Sequence, residues 1–264
     1  MTQSRNVPCV LVFAGLDPSG GAGIQADIQA ITAAGAHPLP IVTALTVQDN
    51  QHVHAVHPVD PAIVREQVRV LIEHGTRIDA VKIGIVGSSA NAQVIADVIV
   101  QLRETYPALP VVLDPVLASG HGDLLTQGDA VQALLPLRAL ATLLTPNLPE
   151  ASKLCNTHDL DEQAQILLQD VPHLLIKGGH GEGDQIVNRW ISKETQRRWQ
   201  WPRLPGEYHG SGCTLASAIA ARLALKSAIE DAIDDAQHYT QHCLEHAFAI
   251  AQGQWIPDRS KESS

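Results

Sequence analysis

Continuous apolar runs alternate along this chain with stretches in which apolar residues recur at helical spacing. The runs at 8–15 (PCVLVFAG), 80–86 (AVKIGIV) and 110–114 (PVVLD) each stop at, or just before, a glycine or an acidic residue. Such runs are typical of strands that are buried on both faces of a sheet. The pattern predicts strands at 8–15, 39–48, 53–59, 80–86, 110–114, 142–145 and 173–177, an antiparallel pair at 184–192 and 195–201, and helices over 24–35, 88–106, 149–155, 160–169, 213–226 and 229–251.

Strands that alternate with helices predict the fold class. The order indicates an α/β protein with a mostly parallel central sheet flanked by helices on both faces. A further helix is expected to begin at Asp60, because aspartate caps helix N-termini and Pro61 suits the first helical position. No break in composition marks a linker, so we expect a single domain over 1–264, with flexible ends at 1–7 and 258–264.

The predicted strand ends are unusually rich in glycine and polar residues. Ligands of open α/β sheets bind beyond the carboxyl ends of the strands. We therefore expect one binding cleft at that edge of the sheet, formed by 15–17, Gln48, 84–85, Asp114, Asn147 and 177–180.

Charge and composition narrow the class of protein. The formal net charge of −10 argues against binding to nucleic acid or to an anionic membrane surface. No basic segment followed by an apolar run opens the chain and no run of 18 apolar residues occurs, so neither a signal peptide nor a membrane span is expected. The four cysteines are far apart in sequence, which indicates reduced thiols and a cytoplasmic protein.

The most informative stretch is 204–221, where a loop with two closely spaced glycines runs directly into an alanine-rich helix. Gly210 and Gly212 allow the backbone to approach a ligand closely. Ser211, Gly212 and Cys213 would present free N–H groups at a helix N-terminus, where the helix dipole favours an anion. A thiol there is expected to have a lowered pKa. These features predict an anion-binding turn with a reactive thiol; the alternative is a capped helix with a buried, inert cysteine.

A second glycine-rich segment, 21–26 (GAGIQA), resembles the dinucleotide fingerprint G-x-G-x-x-A. An Asp-Pro-Ser insertion separates it from the preceding strand and no acidic residue ends the next strand at the right distance, which disfavours an NAD site. The alternative is that these glycines let a small ligand approach, while Asp27 accepts a hydrogen bond from it. The chain contains no G-x-x-x-x-G-K-[ST] motif, so a P-loop is excluded.

Oxygen-bearing side chains follow two neighbouring predicted strands, at Asp114 and at Asn147 and Glu150. Such hard oxygen groups suit a Mg²⁺ ion that keeps several waters and bridges to phosphate. Taken singly, each residue is more often a helix cap, and Asn147 after Pro146 is a good capping candidate. Lys177, at another strand end before two glycines, is the cation expected to meet a nucleotide phosphate.

Seven short motifs occur in a fixed order between about residues 10 and 220. They are 14–27 (AGLDPSGGAGIQAD), 43–48 (TALTVQ), 81–84 (VKIG), 113–116 (LDPV), 144–150 (LTPNLPE), 177–180 (KGGH) and 209–215 (HGSGCTL). This set resembles the bacterial hydroxymethylpyrimidine/phosphomethylpyrimidine kinases of thiamine synthesis, a branch of the ribokinase-like fold. The first and last motifs are highly specific in combination. The resemblance implies a ribokinase-like three-layer sandwich.

The resemblance also implies a role for each matching residue. The residues implied to line the pyrimidine pocket are Gly15, Asp27, Thr46, Gln48, Ile85 and Val116. Asp114 and Glu150 are implied to organise Mg²⁺. The residues implied to bind the donor ATP are Asn147, Lys177 and Gly179. Cys213 is implied to be the general base, beside an anion hole formed by the N–H groups of Gly210, Ser211 and Gly212.

Two positions and the C-terminal tail depart from the family pattern. Ser211 replaces the usual threonine but keeps the hydroxyl group, and Ile85 stands where methionine is common, which alters the shape of the pocket. After Gly253 the tail lacks the family's usual G-x-x-x-x-N-H ending. The glycine-containing loop at 118–125 is expected to act as a lid.

The resemblance implies a specific reaction. A homodimer would phosphorylate 4-amino-5-hydroxymethyl-2-methylpyrimidine with ATP and Mg²⁺, first to the monophosphate and then to the diphosphate. A pyridoxal kinase is the main alternative, because it shares fold, nucleotide and thiol. An NAD-dependent oxidoreductase and a catalytically silent ligand-binding regulator also remain open, although Cys213 argues against the regulator.

Overall fold

The computed structural model describes residues 6–117, 125 and 129–260. The strands in this part of the chain are β1 (Cys9–Leu16), β2 (His37–Gln48), β3 (Val53–Pro58), β4 (Ala80–Ile83), β5 (Val111–Leu113), β6 (Leu143–Leu144), β7 (His173–Ile176), β8 (Gln185–Ser192) and β9 (Gln196–Pro202). The helices are α1 (Gly23–Ala33), α2 (Pro61–Glu73), α3 (Ser89–Thr105), α4 (Ala130–Arg138), α5 (Leu148–Cys155), α6 (Leu160–Leu167), α7 (Ser211–Ala224) and α8 (Ile229–Glu245). None of these helices combines the length and the apolar character that a membrane crossing requires.

The nine strands form one mixed sheet in the order β3-β2-β1-β4-β5-β6-β7-β8-β9. Strands β2, β1, β4, β5, β6 and β7 run parallel. Strands β3, β8 and β9 join them in antiparallel pairs. The predictions of a mostly parallel sheet and of an antiparallel pair over 184–201 are confirmed. Because the parallel strands share one direction, their carboxyl ends meet at the same edge of the sheet.

Helices cover both faces of the sheet, and strand β1 shows how. Successive side chains of a strand point to opposite faces. Leu11 and Phe13 pack in a core cluster with side chains of α2 to α6. Val10 and Val12 belong to a second cluster with side chains of α1, α7 and α8. The apolar runs therefore mark a doubly covered sheet, as the sequence pattern predicted.

Five of the described helices begin at a residue whose side chain caps the N-terminus, and two of these, α2 and α5, bear on the predictions. Asp60 accepts a hydrogen bond from Ala62 N at 2.8 Å and precedes Pro61 in α2, as predicted. At the start of α5, Asn147 Oδ1 accepts from Glu150 N and Glu150 Oε2 accepts from Asn147 N, both at 2.8 Å. This reciprocal capping box fixes the orientation of Glu150 at the end of strand β6.

In the C-terminal part of the chain, the structure differs from two predictions, one on the end of the last helix and one on the flexible tail. Helix α8 ends at Glu245, before the predicted end at 251. Part of the segment 258–264, which was expected to be flexible, is held against the protein: Asp258 N donates to Cys243 O at 3.0 Å and Arg259 is only 2% exposed, whereas Ser260 is exposed. Composition could not reveal this, because the hydrogen-bond acceptors of the guanidinium come from segments far away in the sequence. The other predicted flexible ends, at 1–5 and 261–264, and the lid residues 118–124 lie outside the described residues.

Candidate active site

A cavity of about 540 Å³ opens at the carboxyl ends of the parallel strands. The predicted convergence of the polar strand ends at one edge of the sheet is thereby confirmed. The cavity wall contains all of the predicted site residues except Asp27: Gly15, Thr46, Gln48, Ile85, Val116, Asp114, Asn147, Glu150, Lys177, Gly179, Gly210, Ser211, Gly212 and Cys213.

The turn that leads into α7 forms one part of this wall. Gly210 is the N-cap of α7 in the left-handed conformation, with φ of 80°. A Cβ atom at Gly210 would lie 2.1 Å from the carbonyl oxygen of Gly21, so no larger residue fits. Ser211, Gly212 and Cys213 begin the helix, and their N–H groups therefore lack intrahelical acceptors. These donors and the positive end of the helix dipole suit an anion.

Cys213 lines the cavity from the first turn of α7. Burial raises the pKa of its thiol to about 11, and the carboxylates of Asp27 and Asp114 also act upward, whereas Lys82 opposes the shift. The predicted lowering of this pKa is therefore wrong, because desolvation and two nearby carboxylates outweigh Lys82 and the hydrogen bond from the Gly23 backbone. In the free protein the thiol is protonated at neutral pH.

Asp27 does not line the cavity, contrary to its predicted contact with the substrate. Its side chain is fully buried. Lys82 Nζ donates to both of its carboxylate oxygens, at 2.8 and 2.9 Å, and Ser217 Oγ donates to one of them at 2.6 Å. These three residues belong to α1, β4 and α7, so the cluster ties two helices to the sheet. It is Lys82 that reaches the cavity wall, and Asp27 holds Lys82 there.

Lys177, at the end of β7, and Asp114, at the end of β5, form an ion pair across the end of β6, which lies between those strands. Lys177 Nζ donates to Asp114 Oδ1 at 2.6 Å, and Thr145 Oγ1 donates to the same oxygen at 3.2 Å. A Cβ atom at Gly212 would lie 3.0 Å from Lys177 Nζ, so the ammonium group sits beside the anion-binding turn. An anion in the turn would therefore have a cation as its immediate neighbour.

Glu150 is the second carboxylate of this wall and is buried. Burial raises its pKa to about 7; Lys177 acts against the shift and the charge of Asp114 adds to it. Excess negative charge of this kind favours a divalent cation, and one or two carboxylates suffice for Mg²⁺ that arrives with a nucleotide. Within the described residues no group of three or more His, Cys, Asp or Glu side chains is arranged to hold a metal. The site thus fits a nucleotide-borne Mg²⁺ better than a closed metal cage.

His209 joins two sides of the cavity, although the sequence analysis did not single it out. Its Nε2 lies 2.8 Å from Asp17 Oδ2 and 3.2 Å from Gln48 Nε2. Asp17 also accepts hydrogen bonds from the N–H groups of Ser19 and Ala22, both at 2.8 Å. The Asp-Pro-Ser sequence could have indicated this turn, because aspartate often bonds to backbone two residues on. The long-range contact to His209 has no local signal.

Arg203 is a second residue that the sequence analysis missed. Its guanidinium donates to the carbonyl oxygens of Gly179, Gly181 and Gly183 at 2.8, 2.6 and 2.7 Å. The glycine loop after β7, which was expected to meet the nucleotide, is therefore held by a side chain from the end of β9.

Comparison with known proteins shows which family the chain belongs to. The sequence profile of the family described as phosphomethylpyrimidine kinase matches residues 17–258. The chain belongs to the phosphomethylpyrimidine kinase family. Membership makes it a kinase, that is, a phosphotransferase, and the resemblance found from the seven motifs is confirmed.

Individual members of the phosphomethylpyrimidine kinase family match most of the chain. The hydroxymethylpyrimidine/phosphomethylpyrimidine kinase of Mycobacterium tuberculosis is 38% identical over 81% of this chain and 80% of its own length. The protein of the same name from Escherichia coli is 34% identical over 80% of this chain and 81% of its own length. A thiamine biosynthesis multifunctional protein of Corynebacterium efficiens is 37% identical over 81% of this chain, which spans 29% of that longer protein.

Solved structures share the fold. Phosphomethylpyrimidine kinase from Clostridium difficile has a TM-score of 0.75 and 31% identity, covering 90% of this chain and all of that chain (100%). A pyridoxal kinase from Staphylococcus aureus in complex with AMP-PCP and pyridoxal has a TM-score of 0.83 and 25% identity, covering 97% of this chain and 94% of that chain. The α/β fold with a large central sheet is thus common to both kinds of kinase.

Proposed function

We propose that this protein transfers the γ-phosphoryl group of ATP to the hydroxymethyl group of 4-amino-5-hydroxymethyl-2-methylpyrimidine, and then phosphorylates the monophosphate to the diphosphate. One observation carries the proposal. A single cavity joins the anion-binding turn at 210–213 and the Lys177–Asp114 pair to an amide at Gln48 and an apolar side chain at Ile85. Phosphate chemistry and recognition of a small aromatic ring can therefore occur side by side. Family membership supports the substrate class.

The pyrimidine is proposed to lie against the part of the wall that contains Gly15, Thr46, Gln48, Ile85 and Val116. The amide of Gln48 can both donate and accept a hydrogen bond, which matches the alternating donors and acceptors of an aminopyrimidine. A Cβ atom at Gly15 would lie 3.4 Å from Ile85 Cδ1, so any side chain there would take space beside Ile85 that a ring could use.

Asn147, Lys177 and Gly179 are proposed to bind ATP, with the N–H groups of Gly210, Ser211 and Gly212 stabilising the transferring phosphoryl group. Donors that point at developing negative charge are the main source of catalysis in such sites. The location of Lys177 Nζ beside Gly212 supports this arrangement.

Cys213 is proposed to act as the general base. Phosphoryl transfer passes through a loose transition state, so the attacking hydroxyl loses its proton late. The raised pKa of Cys213 means that the thiol is neutral before the substrates bind. Lys82 favours the thiolate, whereas the charge of Asp114 disfavours it. Any neutralisation of Asp114 therefore makes Cys213 a more available base.

Mg²⁺ with ATP is the proposed cofactor, and Asp114 and Glu150 are the residues that would hold it. When bound, the ion would neutralise phosphate charge. The buried carboxylate pair supports this, because the pKa of Glu150 is raised by burial, with Asp114 adding to the shift.

Pyridoxal phosphorylation is the second candidate function. It is favoured by the TM-score of 0.83 to a pyridoxal kinase, against 0.75 to a phosphomethylpyrimidine kinase. The higher sequence identity to the phosphomethylpyrimidine kinase, 31% against 25%, favours the pyrimidine.

We further propose a ribokinase-like sandwich that forms a homodimer in the cytoplasm. Leu16, Leu45 and Val47 are exposed, Leu16 pairs with Leu45, and Leu45 and Val47 lie on one face of β2. This apolar row lies next to the edge strand β3, and exposed apolar rows near a sheet edge support an interface. Light scattering should show a dimer for the wild-type protein and a monomer for the Leu45→Asp variant. A wild-type monomer would contradict the proposal.

The proposed cytoplasmic location is supported by the four free cysteines, which indicate a reducing compartment.

The decisive experiment is a substrate competition with purified protein. With ATP and Mg²⁺, the pyrimidine should be converted to its monophosphate and then to the diphosphate, as followed by ADP release and mass spectrometry. Pyridoxal should give a clearly lower kcat/KM. Equal or better turnover of pyridoxal would favour the second candidate, and absence of turnover with either alcohol would refute both.

A further inference from the structure

The C-terminal strap, defined as residues 252–259, runs beside the segment that leads into the anion-binding turn. Trp255 N donates to Glu207 O at 2.8 Å, and His209 N donates to Trp255 O at 2.9 Å. The strap is therefore hydrogen-bonded to the backbone immediately before Gly210.

Arg259 is the last residue of the strap, and its guanidinium is buried in the protein. Its Nη2 donates to Gly21 O at 2.5 Å and, at 3.4 Å, to Gly210 O. Its Nε donates to Thr214 Oγ1 at 2.7 Å, and its Nη1 donates to Gln29 Oε1 at 3.3 Å. All four acceptors are uncharged, so these bonds orient the guanidinium without neutralising it.

These hydrogen bonds meet at the peptide that links Gly210 to Ser211. The carbonyl oxygen of Gly210 accepts from Thr214 N at 2.9 Å and from Thr214 Oγ1 at 2.8 Å, and Arg259 acts on it through its own 3.4 Å contact and through its hydrogen bond to Thr214 Oγ1. Because a peptide unit is planar and trans, the direction of the Gly210 carbonyl sets the opposite direction of the Ser211 N–H group. The hydrogen bonds that fix this carbonyl therefore also fix the direction of the Ser211 N–H group, the first of α7.

The same guanidinium also fixes the contact between two turns. A Cβ atom at Gly210 would lie 2.1 Å from Gly21 O and 2.9 Å from Arg259 Nη2, so the two backbones and the guanidinium are packed without spare room. Both carbonyl oxygens accept from Nη2, whose position is fixed because Nε and Nη1 of the same planar group donate to Thr214 and Gln29; lysine has no such additional donors in a fixed plane.

We propose that Arg259 is a positioning residue for phosphoryl transfer, which holds the Gly21 and Gly210 carbonyls and thereby aims the Ser211 N–H group at the transferring phosphoryl group. The inference rests on the anion-hole role proposed above for residues 210–212. A buried positive charge close to the turn adds to the attraction for a phosphoryl anion.

The test compares Arg259→Met, which removes the donors, and Arg259→Lys, which keeps the charge, with a matched control. Arg198→Met is that control, because Arg198 is exposed on β9. Misplacement of a catalytic group by about 1 Å costs on the order of 100-fold, so Arg259→Met should lower kcat by roughly 10- to 100-fold. KM for the pyrimidine and for ATP should stay within about threefold of wild type, because ground-state contacts are unchanged. Arg259→Lys should recover part of kcat, and Arg198→Met should match wild type.

Two further readouts separate positioning from simple loss of stability. Affinity for ADP–aluminium fluoride, an analogue of the transition state, should fall in Arg259→Met in proportion to kcat, while affinity for ADP is retained. Amide hydrogen exchange in the peptide that spans 207–214 should accelerate in Arg259→Met. Val98→Ala, in the core of α3, serves as a destabilised control that leaves the turn intact and should keep kcat at a temperature where it is folded.

Several results would overturn the proposal. These are wild-type kcat in folded Arg259→Met, a rise in KM alone, or an equal loss of kcat in Val98→Ala. If Arg259→Met does not fold, Arg259→Lys decides: wild-type kcat together with unchanged exchange at 207–214 would refute the role. If wild-type protein fails to phosphorylate the pyrimidine, the proposed function is refuted, whereas the exchange comparison still decides whether Arg259 holds the turn.

Discussion

Lys177 Nζ lies 2.6 Å from Asp114 Oδ1, so a cation and a carboxylate that are both proposed to act on ATP are paired with each other in the free protein. The pair is nearly buried, and the ammonium group lies beside Gly212 in the anion-binding turn. Burying two opposite charges together avoids the cost of leaving either one uncompensated. With the proposed roles, nucleotide binding would share or replace this contact and so couple the phosphate site to the carboxylates.

Substitution of Lys177 tests this coupling. Loss of a cation next to the transferring group should lower kcat/KM for ATP by roughly 100- to 1000-fold in Lys177→Met, as expected for removal of one transition-state donor. Steady-state assays at varied ATP measure the effect. Lys153→Met, at an exposed position of α5, is the matched control and should match wild type. Unchanged ATP kinetics in Lys177→Met would show that Lys177 does not contact the nucleotide.

Replacement of Cys213 tests the proposed base. Removal of a general base costs about 10²- to 10⁴-fold in rate, so Cys213→Ala should lose kcat by this amount while remaining folded. Cys155→Ala, far along the chain from the anion-binding turn, controls for thiol loss and should retain activity. Full activity in Cys213→Ala would exclude the thiol as the base.

The pH dependence of alkylation tests the raised pKa of Cys213. Burial, together with Asp27 and Asp114, raises this pKa to about 11. The thiolate is the form that reacts, so at pH 8 Cys213 should react with iodoacetamide about 100-fold more slowly than a thiol of pKa 9. Its rate should rise about tenfold per pH unit up to pH 10. Peptide-resolved mass spectrometry measures this, and a rate that is already maximal at pH 8 would contradict the raised pKa.

Disruption of the Asp27–Lys82 pair should affect stability before it affects substrate binding. Removing one partner of a buried ion pair leaves an uncompensated charge and costs about 3–5 kcal/mol, so Asp27→Ala should unfold at clearly lower urea concentration. Asp97→Ala, which breaks an exposed pair with Arg65, should change stability by about 1 kcal/mol or less. Wild-type stability in Asp27→Ala combined with a raised KM for the pyrimidine would instead support a direct contact with the substrate.

Gly35 and Gly210 have similar positive φ but different surroundings. Substituting each by alanine therefore distinguishes the cost of backbone strain from the cost of close packing. Gly35, with φ of 88°, has no atom within 4 Å of the place that a Cβ would take, so Gly35→Ala should cost only about 1–2 kcal/mol. Gly210, with φ of 80°, would bring a Cβ to 2.1 Å from Gly21 O, so Gly210→Ala must displace the turn. Activity should fall by about 100-fold or more in Gly210→Ala and stay near wild type in Gly35→Ala. Urea unfolding and kinase assays on both variants measure the two effects, and equal kcat in the two would contradict the role of close packing.

Local chemistry explains the parts of the site that were predicted from sequence. The apolar runs identified the strands, and polar residues after those runs identified the edge at which Asp114, Asn147 and Lys177 meet. The glycines around Cys213 identified the start of α7. Each of these predictions depends on residues within a few positions of one another.

Long-range contacts explain the parts that were missed or wrong. Asp27 was expected to face the ligand, but Lys82 and Ser217 from two other elements occupy its carboxylate. His209 and Asp17 are far apart in sequence and meet only in the folded chain.

The sequence by itself determined the α/β architecture, the edge of the sheet that carries the site, and the family, because apolar periodicity, caps and short motifs are local properties. Only the tertiary structure decided that the thiol of Cys213 is protonated, since its pKa depends on burial and on carboxylates brought from α1 and from the end of β5. It also decided that the C-terminal strap is ordered, because Arg259 finds its acceptors at Gly21, Gly210 and Thr214. Electrostatics and hydrogen bonds between distant segments exist only once the chain has folded.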